Sequence, residues 1–245
     1  MNKGSLKKIF DKFESLFMTN HKCISCGKER PDSNKFGLCN ECLKNFILIS
    51  GTLCEKCGEM IAPENRFCDR CKVTDFGFDK NISFAIYNDV SSRIVKRLKY
   101  GKTMFLADEI AKMIASLSGK LEDFDFVSFV PLGKDRFAER GFNQAKLIAE
   151  KFAKLVDKQV ISTLDRCENE KHQAGLSAKD RMKNIAGSFA LKSEAKEIVS
   201  GKTILVIDDV FTTGATLSEC AKVLKKAGAK SVVTLTFAKT ELSKL

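Results

Sequence analysis

Eight of the ten cysteines fall between Cys23 and Cys71, and all eight occur as C-x2-C pairs. Cys23, Cys26, Cys39 and Cys42 form C-x2-C-x12-C-x2-C; Cys54, Cys57, Cys68 and Cys71 form C-x2-C-x10-C-x2-C. In each pair a tight turn brings two thiolates onto one ion, and a tetrahedral zinc needs a second such turn opposite the first. Few aliphatic side chains lie in this region, so it cannot bury much of a core without a crosslink; each zinc adds on the order of 10 kcal/mol to folding. Disulfides are the competing reading. The amino terminus has no uninterrupted apolar core with a cleavage site and no apolar run long enough to span a bilayer. A reducing cytoplasmic location is therefore expected, where thiolate–metal bonds persist and disulfides generally do not. With four thiolates per ion no ligand position is left for a substrate, so both zincs are expected to be structural. Sequential pairing is favoured, and an interleaved cross-brace stays open.

Chemistry must then lie elsewhere, and residues 204–216 carry it. Ile204 to Ile207 suit a strand buried on both faces, and the apolar run stops at Asp208 and Asp209 before a Thr/Gly-rich turn. Leu217, Cys220, Ala221 and Leu224 then recur at helical spacing, with Gly228 as a stop. The turn lies at the carboxyl end of a strand, where open α/β sheets bind ligands, and a helix N-terminus points into the crevice. Backbone N–H groups of Thr212, Thr213, Gly214, Ala215 and Thr216, with the three threonine hydroxyls, suit a phosphate. Two carboxylates suit a pair of vicinal hydroxyls. Together they ask for a ribose 5-phosphate. Cys220, on the apolar helix face, reads as core.

From about residue 80 the pattern alternates strands (82–87, 126–131, 160–164, 186–191, 203–207, 232–237) with helices (106–117 and one begun near Asn143). That points to a mostly parallel sheet covered on both sides. The expected division is an amphipathic helix over 1–20, a double four-cysteine module over 21–75 and an α/β domain over 80–245. The helix carries Leu6, Ile9, Phe10, Phe13 and Phe17 on one face and is expected to dock on the rest of the protein, with transient attachment to a membrane surface or a partner as the alternative. A formal net charge of +11 favours anionic partners. Arg93, Lys96, Arg97, Lys99 and Lys102 make the densest basic stretch, and Phe36, Phe46, Phe67, Phe76 and Phe78 would stack on bases if exposed, although each reads more simply as core.

The thirteen residues 204–216 resemble the diphosphate-sugar signature of type I phosphoribosyltransferases. More of the chain is similar to the ComF family of competence proteins, a branch of that superfamily. The matching residues are Lys99-Tyr100-Gly101, the segment from Arg136 to Arg140-Gly141-Phe142-Asn143-Gln144, Gln173-x-Gly175-Leu176, Arg181-x-x-Asn184, the run Asp208 to Thr216, and Gly228-Ala229. The resemblance implies a type I phosphoribosyltransferase-like parallel sheet flanked by helices and preceded by a zinc-ribbon module. It implies phosphoribosyl diphosphate as ligand, with Mg2+. Pro131 to Arg136 then occupy the pyrophosphate-loop position, with Lys134 and Arg136 supplying charge; the chain departs from the family pattern at Phe129 and Gly133. Arg140 is assigned equally to phosphate or to the start of the following helix, and Asn143 to the helix start. Residues 166–184 resemble a lid, in which Lys171, His172, Arg181 and Lys183 are weaker candidates.

In an active transferase, Asp208 and Asp209 would hold the sugar as charge builds on its ring, while backbone donors and cations stabilise the departing pyrophosphate. Nothing specifies an acceptor, and whether the chain is a catalyst stays open. The resemblance also implies a role in natural transformation, acting on imported single-stranded DNA. An adaptor that docks a helicase or recombination partner is the alternative.

Overall fold

The computed structural model describes residues 22–30, 34, 36–101, 103–167 and 185–241. The amphipathic segment, Lys102, and residues 168–184 of the expected lid, with Lys171, His172, Arg181 and Lys183, lie outside the described residues.

The cysteine-rich region is one local design used twice. The Cys23 N–H donates to the Lys28 carbonyl (2.7 Å) and the Gly27 N–H to the Cys23 carbonyl (2.9 Å); Cys54 repeats this with Glu59 (2.7 Å) and Gly58 with Cys54 (2.9 Å). Gly58 has a φ of 69°, and a Cβ there would lie 2.9 Å from the Asn81 carbonyl oxygen. Left-handed backbone and close approach both require glycine. The second pair of each set opens a five-residue helix, α1 (Asn40–Lys44) after Cys39 and α2 (Asp69–Val73) after Cys68.

Beyond it, β1 (Lys80–Ile86) leads through α3 (Asp89–Tyr100) and α4 (Leu106–Ala115) to β2 (Phe126–Phe129). Then come α5 (Lys134–Arg140), α6 (Gln144–Leu155), the short strands β3 (Leu164–Arg166) and β4 (Phe189–Leu191), and α7 (Lys196–Val199). The chain closes with β5 (Thr203–Phe211), α8 (Ala215–Lys226) and β6 (Ser231–Lys239). The main sheet has order β1-β6-β5-β2, all parallel. Central strands β5 and β6 are Val, Ile, Leu and Thr sequences buried nearly throughout, as a sheet covered on both faces demands. The helices α4 and α6 pack together and against the sheet, and α8 packs against β5 and β6.

Three expectations shift. Residues 160–164 and 186–191 do not extend the parallel sheet: Val160 makes a single bridge to Val127, while β3 and β4 pair antiparallel as a separate hairpin. The strand through the two acids does not stop at Ile207. It runs on to Phe211 because β6 continues alongside, pairing Asp208 with Thr236 and Phe211 with Lys239. The basic stretch 93–99 is the last two turns of an amphipathic helix, whose Val90, Ile94, Val95 and Leu98 are buried.

Both cysteine modules are bonded to this body. In the first, Arg97 Nη1 donates to the carbonyls of Cys23 and Ile24 (2.9 Å each), Arg93 Nε to Ser25 Oγ (3.1 Å), and Ser25 Oγ to the Val90 carbonyl (3.0 Å). Phe36, Phe46, Phe84 and Phe237 carry ring contacts of 5.8 to 6.4 Å from module to sheet. The segment after α1 bridges Leu48 antiparallel to Ala85 along the free side of β1. The second module is held by Asn81, whose side chain donates to the Cys57 carbonyl (3.1 Å), and by the pair of Lys239 with Glu59. Phe76 and Phe78 stack at 4.9 Å, and Phe78 meets Phe211 at 6.0 Å. Among the described residues no helix is long and apolar enough to cross a membrane.

Asn88 joins these levels. Its side chain accepts from the Val90 and Ser91 N–H groups (3.0 and 3.2 Å), Ser91 Oγ accepts from the Asn88 N–H (2.8 Å), and Asn88 Nδ2 donates to the Asn45 carbonyl (2.7 Å). Asn88→Ala is expected to cost about 1–2 kcal/mol in denaturant unfolding of the zinc-loaded protein. Asn88→Ser, which keeps the cap but not the contact with Asn45, should fall between the two.

Candidate functional site

The two four-cysteine sets close first as metal sites. Within each, one sulfur per cysteine lies within 4.8 Å of all the others, and the sets are Cys23, Cys26, Cys39, Cys42 and Cys54, Cys57, Cys68, Cys71. The pairing is sequential, and the cross-brace does not form. Zinc–sulfur bonds of about 2.3 Å in a tetrahedron put sulfurs about 3.8 Å apart. Cys26 and Cys39 sulfurs are 3.7 Å apart, as are those of Cys57 and Cys68. The donor sets fit structural zinc, and Cys167 and Cys220 take no part in either. Cys220 is fully buried on α8, where burial, reinforced by Asp208, pushes its thiol well above the ordinary range.

The last residues of β5 and the turn after it form a second centre. Phe211 is buried against the second module, so the chain must reverse sharply to begin α8. Gly214 makes that reversal as N-cap of α8 with φ 75°. A Cβ at Gly214 would come 2.5 Å from Phe211 Cζ, so glycine is required on two grounds. Thr212 is exposed, Thr216 half-buried, and Thr213 and Ala215 buried; the Thr213 Oγ1 accepts from the Ala215 N–H at 3.4 Å. The hydroxyls of Thr212 and Thr216 therefore keep access to solvent, whereas that of Thr213 turns to its own backbone.

The two acids differ. Asp209 is 4% exposed and is ion-paired with Lys99, which reaches it from the last turn of α3. Asp208 is half-buried and accepts from the Asp209 N–H (2.8 Å). Burial and then the neighbouring Asp209 charge raise the Asp208 carboxyl well above the ordinary carboxylate range, and Lys99 opposes them. One cation between two adjacent carboxylates leaves the pair short of positive charge. The sequence suggested two equivalent acids open to one pair of hydroxyls; in the structure Asp208 alone meets solvent, because a buried Asp209 charge needs a partner.

Lys99 was read as one member of a basic run and, with Tyr100 and Gly101, as one block of the family resemblance; its place beside Asp209 is a contact across the fold that local spacing does not state. Its neighbour Tyr100 packs under Arg140, whose guanidinium lies 5.0 Å from the ring and donates to the Tyr100 hydroxyl (3.0 Å) and to Gln144 Oε1 (3.1 Å). Arg140 thus fastens the start of α6, one of the two roles anticipated. Asn143 caps that helix, accepting from Ala145 and Lys146, and ties it to the Val130 carbonyl (3.0 Å). Lys134 and Arg136 lie exposed on the first turn of α5, directly after Pro131-Leu132-Gly133. Arg166, which sequence reasoning placed only at the start of a loop, belongs near this centre. Burial and then Arg136 push its guanidinium down, while Cys220 and Asp208 oppose them.

The basic run and the aromatics resolve differently from a nucleic-acid surface. Arg93 and Arg97 are committed to the first module and Lys99 to Asp209, which leaves Lys96 among the described members. Phe46, Phe76 and Phe78 are buried and cannot stack on bases. A cleft of about 1150 Å³ does open between the first module and α3, lined by Lys28, Lys44, Arg93, Lys96 and Arg97 against Glu41 and Asp89.

Comparison with known proteins matches this architecture. Residues 15–72 match the double zinc ribbon domain, and residues 137–244 the phosphoribosyl transferase domain. Competence protein F of Haemophilus influenzae is 29% identical over 220 residues, covering 87% of this chain and 94% of that protein. The resemblance to competence proteins thus runs through most of the chain. Competence protein ComFC of Streptococcus pneumoniae is also 29% identical, with 87% and 97% covered. The DNA utilization protein YhgH of Salmonella typhimurium is 29% identical, with 80% and 88% covered.

An acid held above its usual range binds its proton more tightly in the folded chain than in the unfolded one. The unfolded state loses that proton first, so the contribution of Asp208 to stability falls as pH rises from about 4 toward the folded value. Asp208→Asn removes this dependence. Its melting temperature should change less across that window than the wild-type value and should exceed it at the alkaline end.

Proposed function

We propose that this chain binds phosphoribosyl diphosphate with Mg2+ at the carboxyl end of β5, as a cytoplasmic protein of natural transformation that handles imported single-stranded DNA. The observation that carries the reading is the juxtaposition of Asp208 and Asp209 with the Gly214-started helix α8, on a parallel strand inside a phosphoribosyl transferase domain. In this reading Asp208, the acid with access to solvent, accepts from ribose hydroxyls. Asp209, held by Lys99, braces it and supplies negative potential beneath the ring. The N–H groups of Gly214, Ala215 and Thr216 and the Thr216 hydroxyl receive the 5-phosphate at the amino end of α8, where four N–H groups have no partner within the helix. Arg136 and Lys134 face the diphosphate from the first turn of α5, directly after the Pro131–Gly133 loop.

The site chemistry suits a divalent cation, because the carboxylate pair is one positive charge short and hard oxygen ligands favour Mg2+. Asp208 is the residue to hold it, and the ion would neutralise oxygens of the diphosphate. Titration calorimetry with phosphoribosyl diphosphate and Mg2+ tests the reading. Saturable heat is expected for the wild type, with at least about a tenfold loss for Asp208→Ala and Asp209→Ala. No heat from a zinc-loaded, folded wild type would reject it. Whether the bound ligand is also consumed is decided by pyrophosphate release over a panel of bases and amines.

Single-stranded DNA is assigned to the basic cleft beside the first module. The observation that favours this is its lining of five cations and two acids, together with relatives named for competence and DNA utilization. With Lys28, Lys44 and Lys96 as the cations not committed to holding the module, a log–log salt slope of about −2 is expected. Lys44→Glu with Lys96→Glu should weaken binding and flatten the slope. Affinity that does not change with salt would remove DNA from this cleft.

A further inference from the structure

One side chain spans from the second metal site to the proposed phosphate turn. Arg70 lies between the ligands Cys68 and Cys71 on α2, so its backbone position is set by the same ion that gathers those sulfurs. Its guanidinium lies 5.1 Å from the centre of the Phe76 ring, and Nη2 donates to the Thr213 carbonyl. Phe76 meets Phe211 at 6.4 Å, and a Cβ placed on Gly214 would come 3.1 Å from Phe76 Cε1 and 2.5 Å from Phe211 Cζ. The peptide joining Thr213 to Gly214 is therefore clamped from the module side, its carbonyl by Arg70 and its α-carbon by two rings. The described chain holds no cis peptide bonds. In a trans peptide the N–H points opposite the C=O. With the Thr213 oxygen drawn to Arg70, the Gly214 N–H is turned away from the module, on the side opposite Arg70.

We propose that Arg70 is a positioning residue for the phosphoryl end of the ligand: the second zinc module, acting through the Arg70–Thr213 contact, orients the Gly214 N–H toward an anionic group. This rests on the reading that phosphoribosyl diphosphate occupies the 212–216 turn. The physical gain is that a donor fixed in advance needs no reorganisation when the anion arrives. A peptide free to rotate would offer its carbonyl oxygen to the phosphate in part of the ensemble. The coupling runs both ways: a ligand that prefers the clamped turn must also hold the second module in place, and with it that module's metal.

Two measurements on the full-length, zinc-loaded chain test this. Without ligand, hydrogen exchange across Phe211–Thr216 should be about tenfold faster in Arg70→Ala than in wild type, with two zincs per chain and the melting temperature retained. Arg70→Lys, which keeps the charge but not the planar stack on Phe76, should show most of that acceleration. With phosphoribosyl diphosphate and Mg2+, affinity should fall about tenfold in Arg70→Ala, within the 5- to 150-fold range usual for coupled sites. In wild type the ligand should slow chelator extraction of one zinc of the two, and in Arg70→Ala of neither. Wild-type exchange in both variants overturns the proposal, as does equal protection of both zincs. Should wild type take up no ligand, the proposed function fails, and the ligand-free exchange comparison still decides the role of Arg70. If Arg70→Ala loses zinc, Arg70→Lys with full zinc content decides it by the same exchange criterion.

Discussion

Two carboxylates at the end of a strand buried on both sides require a counter-charge, and Lys99 supplies it to Asp209. Placing that ammonium fixes much else. It rides on the last turn of α3, so the helix must lie with its apolar face on the sheet and its carboxyl end over the close of β5. Arg93 and Arg97 of the same helix grip the carbonyls and Ser25 hydroxyl of the first ribbon, and Tyr100 at its end carries Arg140. A single helix thus connects a metal site, the acid pair and the start of α6. Lysine and arginine are not interchangeable along it: the arginines use several donors against fixed oxygens, and the lysine offers a compact charge to one carboxylate.

The ribbons are parts of the fold rather than appendages. The first shares the ring series of Phe36, Phe46, Phe84 and Phe237 with the sheet, and the second shares Phe76 and Phe78 with Phe211. Each ribbon alone has little apolar surface to bury, so the metals supply local order and the body supplies the core. Close approach marks the same join. A Cβ on Gly77 would come 2.6 Å from the Ser218 carbonyl oxygen, so the segment leaving the second ribbon lies close against α8.

Much of this architecture is legible in the sequence because it is written in local terms. Paired cysteines at fixed spacing, an apolar run ending in two acids, and a glycine before a helical repeat each need only neighbours in the chain to be understood. What was not legible depends on long-range partners. That β5 continues past its acids follows from β6 lying beside it, which no local pattern states. That Asp208 and Asp209 are unequal follows from Lys99, 110 positions earlier in the chain by subtraction of the residue numbers. The arginines of α3 read as a free basic surface until the ribbon that occupies them is placed. Phe76 and Phe78 sit in a segment poor in aliphatic residues, and their burial comes from Phe211.

The bridge between Leu48 and Ala85 gives the short segment after α1 a protective duty. With β6 on its other side, β1 is the outermost strand, and its Ile82 to Ile86 stretch is apolar and long enough to recruit a foreign chain. The segment that shields it is anchored between the two zinc knots. Metal starvation would therefore unseat a guard as well as loosen the ribbons, and the damage would spread between molecules, as strand-to-strand clumping of chains whose sheets are otherwise intact.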